Sequence, residues 1–259
     1  MPPKKPVSGL TRTYLFLYNL LSLSLWATCT LRAAVLLSQQ LSDESINGFD
    51  ALPSIFTQVF PLLLITQSLA GLEILHSLVG LVRAPLLTTT MQVTSRFVVV
   101  WGVMFLFREG AVDLSGLLGP AVGAKHQQQP VGVAEGDGLV GLVGETQYCD
   151  FAFLGCMFAW GVTECIRYGF FAMQLGGVSV PTWWQWLRYN TFFVLYPIGI
   201  ASECVFMYFS LGHAEKYVHV YYKWVMMGIM AIYVPGSYIL YTHMMSQRRR
   251  VMRGKSRVD

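Results

Sequence analysis

Apolar residues come in long runs along this chain, and polar residues gather between the runs. Six runs approach or exceed the ~20 residues a helix needs to cross a hydrocarbon core. They cover roughly 14–37, 55–82, 91–107, 149–175, 187–211 and 221–245. A polar tail precedes the first run and carries Lys4, Lys5 and Arg12. The segment 38–54 holds Asp43, Glu44 and Asp50, and the turn Arg83-Ala84-Pro85 separates the second and third runs. The segment 108–148 is rich in Gly and carries Gln127-Gln128-Gln129, Pro120, Pro130 and five acidic residues, so it reads as a flexible loop. Its apolar piece LVGLVG is too short to span. The first run is too long for a signal-peptide core and shows no clear cleavage site, so it reads as retained.

The pattern predicts an all-α membrane protein, a bundle of six transmembrane helices. Residues 1–13 form an N-terminal tail, 14–247 the helical domain and 248–259 a basic tail. No internal repeat is visible. Composition agrees: 54% of the 259 residues are hydrophobic and 12% charged, against about 25% charged in soluble domains. The net charge of +4 is unevenly placed. Basic residues flank alternate loops and both tails, acidic ones the 38–54 and 108–148 segments, which puts both termini in the cytosol. The basic tail reads first as a stop-transfer flank. Nucleic acid is not expected as a partner, because the basic residues sit beside apolar runs. Five cysteines (Cys29, Cys149, Cys156, Cys165, Cys204) form no CxxC pair, so neither a disulfide framework nor a zinc site is expected.

Polar residues inside apolar runs carry the candidate chemistry, because a carboxylate at bilayer depth costs on the order of 2–3 kcal/mol or more. The fifth run holds Tyr196 and Glu203. Seven residues is close to two helical turns, so both lie on one face, about 10 Å apart along the axis. Pro197 lacks a backbone donor, which predicts a kinked or opened helix beside Tyr196. Two readings stay open from spacing alone: a packing kink with a buried Tyr196–Glu203 hydrogen bond, or a functional pair.

The second run holds Gln67, Glu73 and His76. Glu73 and His76 are three apart and read as a structural hydrogen-bonded pair. One such pair falls far short of a di-iron bundle, so no metal is expected. The third run opens with Gln92, Ser95 and Arg96, and the fourth holds Trp160, Glu164, Arg167 and Tyr168. Glu164 and Arg167, at i and i+3, read as a structural salt bridge. The sixth run carries Pro235-Gly236, a kink signal, and its Met and Tyr content reads as packing and interfacial anchoring. The stretch His76-Ser77-Leu78-Val79-Gly80-Leu81-Val82-Arg83 resembles the HCxxGxxR loop of tyrosine phosphatases. Ser77 stands where the thiolate nucleophile belongs, and the surroundings predict a helix.

Five further stretches carry a more specific resemblance: YNLLSLSLW, QSLAGLEILHSLVGLVRAP, TTMQVTSRFVVVWGV, WGVTECIRYGFF and LRYNTFFVLYPIGIASE. Together they resemble the very-long-chain (3R)-3-hydroxyacyl-CoA dehydratases, also called protein-tyrosine-phosphatase-like proteins, over five of the six runs in order. The resemblance implies six transmembrane helices in the endoplasmic reticulum with both termini cytosolic. It implies removal of water from a (3R)-3-hydroxyacyl-CoA to give the trans-2-enoyl-CoA, the third step of fatty-acid elongation, with no cofactor. The family's YPxGxxxE pattern is intact as Tyr196-Pro197-Ile198-Gly199-Ile200-Ala201-Ser202-Glu203 and makes Tyr196 and Glu203 the catalytic residues.

That chemistry needs a base for the proton beside the thioester, an acid for the leaving hydroxyl and donors for the enolate oxygen. Glu203 is expected to take the proton and Tyr196 to assist departure of the hydroxyl; the reverse assignment stays open. Arg83, Arg96, Arg188, Tyr189 and Gln92 are the candidate substrate-binding residues, with arginines suited to the CoA phosphates. The partners implied are the long-chain 3-hydroxyacyl-CoA substrate, membrane lipid and the elongase, 3-ketoacyl-CoA reductase and enoyl-CoA reductase of the same cycle. Other classes are a non-catalytic membrane scaffold of the same fold and a solute transporter, the latter weakened by the lack of a repeat.

Overall fold

The computed structural model describes residues 9–42, 52–82, 86–107, 147–214 and 218–255. Arg83 and nearly all of the 108–148 segment lie outside these residues. Seven α-helices make up most of the described chain: α1 (Gly9–Ser42), α2 (Leu52–Leu78), α3 (Leu86–Phe97), α4 (Gln147–Gly176), α5 (Thr182–Asn190), α6 (Phe192–His213) and α7 (Val220–Lys255). No strand occurs among the described residues. Five helices, α1, α2, α4, α6 and α7, are long and apolar enough to cross a membrane. This is the build of a multi-pass membrane protein, and α1 and α7 turn large side chains such as Leu17, Leu31, Val234 and Ile239 outward.

Two of the expected runs take a different form. The third is α3 followed without a break by a π-helical stretch, Val98–Phe105. A π turn closes its hydrogen bonds from i to i+5 and is wider than an α turn. Here the Tyr222 hydroxyl, from α7, donates to the Gly102 carbonyl at 2.5 Å. The fifth run is divided at Thr191. Its first part belongs to α5, TWWQWLRYN, whose Trp, Gln and Arg content suits an interface better than a hydrocarbon core. Trp184 fastens α5 by donating from Nε1 to the Ile166 carbonyl at 3.0 Å. α6 then runs unbroken through Pro197, and α7 through Pro235 and Arg248–Arg250 to Lys255.

α4 is the central helix, with Phe153, Cys156, Met157, Trp160 and Tyr168 all buried. Small residues on it let its neighbours come close, as is usual where helices pack in lipid. A Cβ at Gly161 would collide with Thr30 of α1, and one at Gly155 with Ser202 of α6. Cross-links then gather one end of the bundle. Arg12 Nε donates to the Leu175 carbonyl at 2.7 Å, joining the start of α1 to the end of α4. The Arg188 guanidinium lies over the Phe170 and Phe171 rings, 4.2 and 4.5 Å from their centroids. Arg248 Nε donates to Asn190 Oδ1 at 3.0 Å, bringing the basic end of α7 to α5. The start of α1 and the end of α7 therefore share one side of the bundle, with Arg12, Arg188 and Arg248.

Candidate active site

A cavity of about 360 Å3 opens between α3, α4, α6 and α7. Gln92, Ser95 and Arg96 line it from α3, Trp160 and Thr163 from α4, Tyr196 and Glu203 from α6, and Tyr233 and Ser237 from α7. Leu195, Ile200, Ile229, Ile232 and Leu240 supply apolar walls. The helical spacing of Tyr196 and Glu203 thus puts both on the cavity side of α6.

Glu203 is 5% exposed and carries a donor on each oxygen. Trp160 Nε1 donates to Oε1 at 3.0 Å, and the Tyr233 hydroxyl donates to Oε2 at 2.7 Å. A carboxylate accepts at both oxygens, so this pair of donors suits the ionised form. The Tyr196 hydroxyl donates to the Ser237 carbonyl of α7 at 3.0 Å. The Tyr196–Glu203 hydrogen bond considered from the sequence is not made. Two turns of one helix separate these groups by about 10 Å, and α7 supplies a partner to each.

A chain of four charges crosses the bundle beside this cavity. Arg167 grips Glu73 of α2 with two bonds, Nη1 to Oε2 at 2.8 Å and Nη2 to Oε1 at 2.6 Å. Its Nε donates to Glu164 Oε2 at 2.7 Å, the i, i+3 pair that the spacing predicts. The other Glu164 oxygen accepts from Arg96 Nη1 of α3. Tyr168 also donates to Glu73. Two acids and two bases balance, which is the condition for burying any of them.

The expected Glu73–His76 pair is not made. Glu73 takes the stronger, charged partner across the helix gap, and His76 Nε2 meets the Tyr14 hydroxyl at 2.9 Å. The Tyr18 ring stands edge-on to the imidazole, with centroids 4.8 Å apart. Ser77 and Leu78 end α2, and Gly80 follows in the left-handed region at φ 72°. The stretch from His76 is therefore a helix terminus and not a phosphate-binding loop. Among the described residues, no three His, Cys, Asp or Glu side chains gather as a metal would require.

Of the candidate substrate-binding residues, Gln92 and Arg96 line the cavity. Arg188 and Tyr189 lie on α5 at the basic end of the bundle, and Arg188 Nη1 is buried without an acceptor among the described residues. Arg83 falls outside them. Two residues at the carboxylate were given no such role from the sequence. Trp160 sits one turn before Glu164 and bears no charge to draw attention. Tyr233 was grouped with the packing and anchoring residues of the last run; its hydroxyl instead holds Glu203. No local pattern distinguishes it from Tyr238 or Tyr241, because its role depends on where α7 meets α6.

Known proteins are similar to this chain over most of its length. A family model described as "Protein tyrosine phosphatase-like protein, PTPLA" matches residues 67–254. A Schizosaccharomyces pombe protein named "Probable very-long-chain (3R)-3-hydroxyacyl-CoA dehydratase" is 35% identical over 238 residues, 92% of each chain. The Arabidopsis thaliana protein named very-long-chain (3R)-3-hydroxyacyl-CoA dehydratase PASTICCINO 2 is 30% identical over 260 residues, 95% of this chain and 96% of its own. A Caenorhabditis elegans protein named very-long-chain (3R)-3-hydroxyacyl-CoA dehydratase hpo-8 is 28% identical over 258 residues, 95% of this chain and 97% of its own. No solved structure matches.

Proposed function

Because the chain belongs to the protein tyrosine phosphatase-like (PTPLA) family, we propose that it is a very-long-chain (3R)-3-hydroxyacyl-CoA dehydratase. It removes water from the 3-hydroxyacyl thioester to give the trans-2-enoyl-CoA. The observation that carries this reading is the sharing of one apolar-walled cavity by Glu203 and Tyr196. Long-chain thioesters need apolar walls for the chain and an acid–base pair for the chemistry.

Glu203, held by two neutral donors, is the base that takes the C2 proton. Tyr196, whose hydroxyl is already a donor, turns from the Ser237 carbonyl to the 3-hydroxyl and protonates it as it leaves. Gln92 and Ser95 offer further polar contacts from α3. The wall residues Phe192, Leu240 and Met244 lie toward the bundle end that carries Arg188 and Arg248, which suits a CoA head outside and an acyl chain within.

In the membrane we read six crossings, α3 with its π-helical continuation being the third, both termini in the cytosol and residence in the endoplasmic reticulum. The basic residues gathered at the end shared by α1 and α7 support that orientation. Elongase and 3-ketoacyl-CoA reductase chemistry would supply the substrate, and enoyl-CoA reductase chemistry would consume the product.

The test is to give the purified protein a long-chain (3R)-3-hydroxyacyl-CoA with neither nicotinamide nor metal and to follow the enoyl product. The wild-type protein forms it, and Tyr196→Phe and Glu203→Gln lose nearly all of the rate. Normal turnover by both variants overturns the site, and no turnover by the wild type overturns the function.

A further inference from the structure

The cavity holds a cation that the acid–base scheme leaves unused. Arg96 lines it from α3, with its guanidinium carbon 5.5 Å from the ring centroid of Trp160, the residue that binds Glu203. Its side chain is 19% exposed. It pairs with Glu164 through Nη1, and among the described residues it forms no ion pair with Glu203. A guanidinium carries five N–H donors in a rigid fork. The remaining donors of Arg96 have no acceptor among the described residues. Its fixed side is backed in series: Glu164 is held by Arg167, and Arg167 by Glu73.

Proton removal beside a thioester puts negative charge on the thioester oxygen. Donors already aimed at that charge in a water-poor site are among the largest contributions an enzyme can make. We propose that Arg96 is the catalytic electrophile of this site, its open N–H groups binding the thioester oxygen and stabilising the enolate, while Glu164, Arg167 and Glu73 are positioning residues. The proposal rests on the dehydratase reading. The C2–H bond breaks, the proton passes to Glu203, and the electron pair moves onto the oxygen held by Arg96. The enolate collapses to the C2=C3 double bond and expels the 3-hydroxyl, which leaves as water with the Tyr196 proton. The proton on Glu203 then returns to the Tyr196 phenolate. This places Arg96 at the reacting centre and not at the CoA phosphates, the role expected of it from the sequence.

The test compares two ligands that cannot turn over: stearoyl-CoA and S-octadecyl-CoA, the thioether in which the carbonyl is a methylene. Inhibition constants are measured on the full-length protein in detergent. The wild type is expected to bind the thioester roughly tenfold or more tighter, as a charged hydrogen bond to the carbonyl predicts. Arg96→Lys narrows that preference and Arg96→Met abolishes it, with thioether affinity unchanged in both. The double variant Arg96→Gln/Glu164→Gln removes a charge of each sign and keeps the comparison if Arg96→Met does not fold. In Arg96→Lys, kcat falls on the order of a hundredfold. No thioester preference in the wild type, or the same preference in Arg96→Met, overturns the role of Arg96 while leaving the dehydratase reading intact. Failure of the wild type to bind either ligand overturns both.

Discussion

The Tyr233 hydroxyl donates to Glu203 Oε2 at 2.7 Å, tying the middle of α7 to the carboxylate on α6. With Trp160 on the other oxygen, it leaves Glu203 little rotational freedom. Tyr233→Phe removes one donor and no ring packing. We expect kcat for dehydration to fall about tenfold, in line with the loss of one hydrogen bond to a charged group, and KM to change little. Steady-state kinetics on the purified variant check this. A raised KM with kcat intact means that Tyr233 meets substrate and not the base.

Arg167 binds Glu73 and Glu164 at once, so its loss leaves Glu73 without a cation inside the bundle. Breaking a buried ion pair from one side costs about 3–5 kcal/mol. Arg167→Gln is therefore expected to lower the thermal midpoint of the detergent-solubilised protein markedly. Glu73→Gln/Arg167→Gln leaves the neutral Glu164–Arg96 pair and recovers much of that loss. Additive losses in the double variant mean that the two residues do not act as a pair.

Gln67 is fully buried on α2, and neither polar atom of its amide has a hydrogen-bond partner among the described residues. An unsatisfied buried polar group costs about 1–3 kcal/mol. Gln67→Met keeps the length of the side chain without the amide and should raise the thermal midpoint. A lower midpoint means that a water molecule satisfies the amide in the native protein.

How much could be read without coordinates varied with the kind of relationship. Glu164 and Arg167 were legible as a pair because three residues on one helix fix their mutual position. The same held for the shared face of Tyr196 and Glu203. Glu73 and His76 had the same spacing, yet each found a better partner on another helix. The division of the fifth run at Thr191 was hidden because no Pro or Gly marks a break between Leu187 and Phe192. The coordinates show the interruption at Thr191, with α5 held against Ile166 of α4 by Trp184.

By itself the sequence determined the five long apolar helices and which polar residues share a face of one helix, because helical periodicity is a local property of the chain. Tertiary structure alone decided that Trp160 and Tyr233 clasp Glu203, that Tyr196 turns to Ser237, and that Arg96 joins Glu164 while facing the same cavity. Those relationships cross between helices. They depend on how closely α4 meets α1 and α6 at Gly161 and Gly155, a distance that no spacing along one helix encodes.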